Sequence, residues 1–283
     1  DFKRDLSNLG IQEQVDIIKQ SCSSIYPEED IEKELNESKE NNKTLQIKFG
    51  LDPTNTAMLI DHMVPIVLLN KMQRMGHRII FVIGDFTALI GDPADKSIKQ
   101  RKVNKKKIDE NVKTMKKDVF RFLDTAKVDM RSNSSWLNDF KLPELVEIML
   151  ELKVSPISKE RLNTKNNISY AELIYPLIMG IDSLRIKADL ELGRDNQSDN
   201  LHICRHMMEI KGMNPEIIMT TQALPEGDIF TIKEEPLKIF HKIAQLDNKH
   251  VIMWYKLLTE ILPDTANKLE KAINEKNINM QTI

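Results

Sequence analysis

Two short runs hold the residues best equipped for chemistry. The first, FGLDPTNTAMLIDHMVP (Phe49 to Pro65), sets a carboxylate beside an imidazole, Asp61 and His62, where a strand-like run gives way to helical spacing. The second, GRDNQSDN (Gly193 to Asn200), places Arg194, Asp195 and Gln197 at a similar junction. An imidazole with carboxylates and a guanidinium around it suits proton transfer, and the guanidinium suits an anionic group. Each residue also has a plain structural reading. A histidine at a helix start often only satisfies backbone, and charged turn residues often only pair with one another.

These residues need a scaffold, and the flanking patterns supply one. TLQIKFGLD (Thr44 to Asp52) alternates apolar residues up to Asp-Pro and predicts a strand ending in a turn. Val64, Val67, Leu68 and Met72 predict a helix closed by Gly76, and HRIIFVIGD (His77 to Asp85) suits a buried parallel strand. Strand, helix, strand is a βαβ unit, and open α/β sheets bind ligands at the carboxyl ends of such strands. Upstream, Ile11, Val15 and Ile18 predict one packing helix and PEEDIEKELNESKE a second, solvated one. Downstream the patterns predict helices at 142–152 and 158–162, a helix over Tyr170 to Asp182, a strand over Ser183 to Gly193 and a helix after it. A strand EIIMTTQAL and two amphipathic closing helices, EEPLKIFHKIAQL and VIMWYKLLTEIL, complete the reading.

Composition narrows the function classes. With 283 residues, 41% hydrophobic and 30% charged, the chain can bury a sizeable core. A formal net charge of −2 gives no overall footprint for nucleic acid, although KSIKQRKVNKKKIDENVKTMKK holds ten Lys and Arg against two acidic residues. The plainer reading of that run is a solvated helix. Cys22 and Cys204 are too few and too distant for a disulfide framework or zinc site, no metal centre is expected, and a cytoplasmic location is the default. The longest apolar runs are far short of the roughly 20 residues a membrane span needs, so no membrane partner is expected.

The runs LQIKFGLDPT, GDFTALIGDP, LIYPLIMGIDSLRIKADLELG and EEPLKIFHKI with YKLLTE, in that order, resemble the catalytic domain of bacterial tyrosyl-tRNA synthetases, class I enzymes. The resemblance spans about Ile11 to Leu262. It implies an α/β fold, a Rossmann-type parallel sheet with an inserted helical lobe. The implied divisions are N-terminal helices over 1–43, a first Rossmann half over 44–104, a helical and dimerising insertion over 105–168, a second half over 169–230 and C-terminal helices over 231–283. The separate anticodon-binding domain is expected to be absent.

Set against the family pattern, the ATP side departs at three places. The His-x-Gly-His signature reads Leu59-Ile60-Asp61-His62 here, so only the second histidine is kept. The Gly-Gly-x-Asp-Gln turn keeps Gly193 and Gln197 but carries Arg194 for the second glycine and Asn196 for the ribose-binding aspartate. The Lys-Met-Ser-Lys-Ser loop is shortened to DIFTIK, with Lys233 alone. The two turns face one another across the adenosine in the family, so Asp61 and Arg194 are expected to form a bidentate salt bridge in the adenine slot. ATP binding is therefore expected to be lost or weak, and no other cofactor is implied.

The amino-acid side is better kept. By the resemblance, Asp92 and Tyr175 match residues that bind the α-ammonium of tyrosine, Asp182 the acceptor for its phenol, and Gln197 a group near its carboxylate. Asp52 and Thr54 of the first turn and Lys96 beside the phosphate site are also present, while Met179 stands where a glutamine helps hold the ammonium. Taken together, these residues imply a repurposed pocket for a small amino-acid-like ligand, with His62 as acid or base, Asp61 its neighbour and Arg194 the anion-binding group. Alternatives are an aminoacyl-tRNA-dependent transferase needing no ATP, a non-catalytic regulatory homodimer, and an atypical tyrosine–tRNA ligase. Binding of a tRNA acceptor end is not favoured.

Overall fold

In a computed structural model of the protein, residues 4–93, 104–153, 169–225 and 230–276 are described. A six-stranded sheet runs β1 (Ser24–Tyr26), β6 (Ile217–Thr221), β5 (Leu190–Arg194), β2 (Gln46–Leu51), β3 (Arg78–Ile83), β4 (Val128–Ser132). All neighbours are parallel except β1, which lies antiparallel on β6. The five parallel strands thus take the doubly wound order, and the order reverses between β2 and β5. The expected Rossmann-type class is the observed one.

The central strands form because their side chains are buried on both faces. Ile47 and Phe49 of β2 and the whole of Ile79 to Ile83 in β3 are 3% exposed or less. Helices α1 (Ile11–Ser21), α2 (Glu28–Glu40) and α3 (Met63–Arg74) precede or join these strands. Every residue of α3 from Met63 to Gln73 is buried, and Gly76 at φ +108° turns the chain into β3. Next come α4 (Lys105–Val119), α5 (Ser134–Leu137) and α6 (Leu142–Glu151), then α7 (Tyr170–Ile186) and α8 (Ser198–Ile210). The chain closes with α9 (Pro236–Ile243), α10 (Asn248–Leu258) and α11 (Pro263–Lys276).

Three expectations need correcting. The stretch 105–168 is not wholly helical, since β4 lies inside it and extends the parallel sheet beyond β3. In addition, Met115, Val119 and Leu123 join the main core, so α4 packs with the Rossmann body. The strand expected over Ser183 to Gly193 begins only at Leu190, because α7 continues to Ile186 and stops where Lys187 adopts a left-handed φ of +56°. The N-terminal region holds the short strand β1 between its helices. The helix expected at 158–162 lies outside the described residues.

Candidate active-site cleft

The turns after β2, β3 and β5 meet at the carboxyl ends of the strands and enclose a cavity of about 90 Å³. Asp52, Thr54, His62, Asp92, Tyr175, Met179, Asp182, Arg194 and Gln197 all line it. Sequence reasoning thus named side chains that do converge. Lys96 lies outside the described residues.

At the mouth, Arg194 Nη1 donates to Asp61 Oδ2 at 2.8 Å, while Asp61 Oδ1 accepts from the backbone N–H of Leu224 at 2.7 Å. The contact is made, but it is not the bidentate fork expected: one carboxylate oxygen is taken by backbone. Asp61 is 3% exposed, so both oxygens need these partners. The segment after β6 closes on the same turn. Ile60 N–H donates to the Phe230 carbonyl at 2.8 Å, and Ile232 N–H donates to the Met58 carbonyl at 2.9 Å. Lys233 pairs with Asp118 of α4 at 3.3 Å.

His62 faces the cleft, but its Nδ1 accepts the backbone N–H of Leu59 at 3.2 Å. With that lone pair engaged, the ring proton sits on Nε2, which argues against the base role in this arrangement. Asp195 is also corrected. It is exposed and accepts from the Ser23 hydroxyl at the β1 edge, outside the cavity lining.

The floor of the cleft is built of two hydrogen-bonded sets of polar side chains. Tyr175 donates its hydroxyl to Asp52 Oδ2 at 3.0 Å and Thr87 donates to Asp52 Oδ1 at 2.7 Å. Asn133 Nδ2 donates to Thr87 Oγ1 and to Asp182 Oδ2, both at 3.2 Å, and Trp136 Nε1 donates to Asp182 Oδ1 at 2.8 Å. Gln197 Nε2 donates to Asp92 and its Oε1 accepts from Asn200 at 2.9 Å. Tyr175 therefore spends its hydroxyl proton on Asp52, where the resemblance implied an ammonium ligand. Gly84 makes this packing feasible, because a Cβ there would lie 1.8 Å from Asp52 Oδ1.

Burial shifts the charges of these side chains. Desolvation pushes Asp52, half-buried with one side open to the cleft, up to about 8. The Thr87 and Tyr175 hydroxyls favour its anion and work against that rise, while the Asp92 and Asp182 carboxylates reinforce it. Asp182 is raised to about 6 by burial, against Lys48 and the Trp136 and Asn133 donors. Tyr175 is pushed well above its usual range by burial and by the Asp52 and Asp92 carboxylates.

Beneath the cleft, Lys48 of β2 bonds Glu191 of β5 at 2.6 Å and the Ser183 hydroxyl at 2.5 Å, with Glu216 at 3.9 Å. All three charged residues are 1% exposed or less. Burial works against the Lys48 ammonium, but the two carboxylates outweigh it and raise it above its ordinary range, while burial and Glu216 raise Glu191. Thr87, Asn133, Trp136 and this cluster were not foreseen. Thr87 and Asn133 each follow the carboxyl end of a strand, but the strand before Asn133 was itself unrecognised.

The match to known proteins accords with this architecture. Residues 39–229 match the family model for class I tRNA synthetases (W and Y). The chain belongs to that family. A tyrosine–tRNA ligase 2 of Clostridium acetobutylicum is 30% identical over 97% of this chain and 72% of its own length. A tyrosine–tRNA ligase of Carboxydothermus hydrogenoformans is 32% identical over 96% of this chain and 68% of its own. The tyrosyl-tRNA synthetase of Archaeoglobus fulgidus, solved with L-tyrosine, superposes with a TM-score of 0.78 at 15% identity, over 96% of this chain and 92% of that one, and shares the fold. In this class I synthetase domain the cavity lies where the sheet order reverses. Among the described residues no helix is long and apolar enough to cross a membrane, and no group of three or more His, Cys, Asp or Glu converges on a metal position.

Proposed function

We propose that this class I synthetase domain binds a small amino-acid-like ligand in its cleft and has lost ATP-dependent activation of an amino acid. The observation that carries the reading is the Asp61–Arg194 contact at 2.8 Å, between the two turns that hold adenosine in the family pattern. An ion pair there fills space left open by two glycines and sets a carboxylate against a triphosphate. Leu59 offers no side-chain donor to a developing phosphate charge, where one such donor is worth about 10²–10³ in rate. The bonds from Phe230 and Ile232 to the first turn fit a short, docked strap in place of a mobile phosphate clamp.

The pocket's own pairing supports a ligand smaller than tyrosine or lacking a free ammonium. Asp52, pushed up to about 8 by burial and already accepting from Tyr175 and Thr87, attracts a cation weakly, while Asp92 is already engaged by Gln197. A cavity of about 90 Å³ holds on the order of three waters, at about 30 Å³ each. Arg194, which lines the cavity, is the cation placed to meet an anionic end.

A second reading, a working tyrosine–tRNA ligase, is favoured by the relatives' activity and by the retained Asp52, Asp92, Tyr175, Asp182 and Gln197. Tyrosine-dependent exchange of pyrophosphate into ATP separates the two. The expected result is no exchange above background, with calorimetry showing no ATP binding and measurable binding of an amino acid or its deamino analogue. Exchange at enzymatic rates would restore the ligase.

Self-association through the inserted lobe belongs to the same proposal. On α6, Leu142 (71% exposed), Val146, Met149 and Leu150 (82%) share one face, and Tyr170 at the start of α7 is 88% exposed. The opposite face, through Ile148, packs with Leu137 and with Ile178 and Ile181 of α7.

A further inference from the structure

A second cavity, of about 190 Å³, lies away from the cleft between the N-terminal segment, α1, α3 and the loop joining α10 to α11. Its walls are Leu6, Ile17, Ile261 and Leu262 on the apolar side and Arg4, Lys71 and Glu260 on the polar side. Lys71 stands nine residues after His62, roughly 14 Å along the α3 axis. This chamber and the cleft therefore open at opposite ends of one buried helix.

Lys71 is 3% exposed, and no described residue gives its Nζ a hydrogen-bond partner. Glu260 does not answer it. One carboxylate oxygen is committed to Arg74 at 2.5 Å, and Oε1 is buried without a partner. Arg74 also donates to the Arg4 carbonyl at 3.1 Å and its own carbonyl accepts from Leu6 N–H, so the N-terminal segment is stapled over the cavity. Once Arg74 and Glu260 neutralise each other, the buried Lys71 ammonium and the exposed Arg4 guanidinium have no carboxylate partner among the described residues. Buried ammonium groups are ordinarily paired, and burial here pushes Lys71 down to about 8, opposed by Glu260 and assisted by Arg74.

We propose that this cavity is a second binding site, for a small organic anion with one carboxylate or phosphate head on a short apolar body. The head pairs with Lys71 Nζ and Arg4, the body lies against Leu6, Ile17 and Leu262, and a hydroxyl on the ligand can donate to Glu260 Oε1. The site is separate from the nucleotide and amino-acid cleft and does not depend on what that cleft does.

The test is titration of the whole chain with butyrate and, separately, inorganic phosphate, followed by calorimetry and thermal shift. The proposal expects saturable binding of at least one probe that raises the melting temperature, weakened about tenfold or more in Lys71→Met and unchanged in Arg194→Leu. Lys71→Met is also expected to melt at or above the unliganded parent, since it removes an unpaired buried charge. Ile261→Trp, which fills the cavity from its apolar wall with Lys71 intact, should abolish binding as well. Preference for one probe assigns the head group. No binding of either probe, binding undiminished by both cavity variants, or binding lost only in Arg194→Leu would overturn the site.

Discussion

Asp61 and Arg194 are legible in the sequence because two charged residues stand where small ones suffice, and a lone buried charge is costly. Their meeting makes two predictions. Removing both, in Asp61→Gly with Arg194→Gly, should open the slot and give ATP binding detectable by calorimetry, whereas an unaltered blank titration would place the defect in the docked 230–232 strap. Removing only Arg194, in Arg194→Ala, strands a buried carboxylate with one backbone donor and should lower unfolding stability by about 2 kcal/mol in urea titrations. Asp52 adds a pH signature. Its carboxyl is held above its unfolded value of 3.8, so the native state keeps a proton that the unfolded chain releases. Stability from this group is full below about pH 4 and is lost as pH rises toward about 8. Asp52→Asn, which keeps an acceptor for the Thr87 hydroxyl but carries no titratable carboxyl, should flatten that slope in melting curves taken across the window.

Strands and helices differed in how plainly the sequence announced them. β2, β3 and α3 are central, and their unbroken apolar runs leave little choice of structure. β4 is an edge strand whose residues are mostly half-buried, so Val-Asp-Met-Arg-Ser carries neither a continuous run nor a clean alternation. The boundary of α7 was misread for another reason: Leu184, Ile186, Ala188, Leu190 and Leu192 alternate straight across the break, and Lys187 turns the chain without the glycine that usually marks such a stop. Lys48 and Glu191 escaped notice because charged residues in a strand read as solvent-facing. They lie side by side on β2 and β5, which makes them a clasp across the point where the sheet reverses. Lys48→Met alone should cost about 3–5 kcal/mol, while Lys48→Met with Glu191→Leu should recover much of it, a comparison that chemical denaturation can read.

For the whole chain, the cleft, the second cavity and the α6 face lie on different parts of one body. If α6 is the self-association surface, Leu150→Lys should shift sedimentation toward the monomer and leave ligand binding in the cleft intact, since α6 does not line it. The lobe is nevertheless continuous with the catalytic half. β4 threads out of it to pair with β3, and Asn133, the residue after that strand, braces both Thr87 and Asp182. A chimera that exchanges 105–168 wholesale with a relative would therefore carry away part of the pocket floor. Grafts cut just beyond Trp136, which donates to Asp182 at 2.8 Å, would leave the pocket floor in place, so the boundary that recombination can respect falls some thirty residues later than the helical texture suggests.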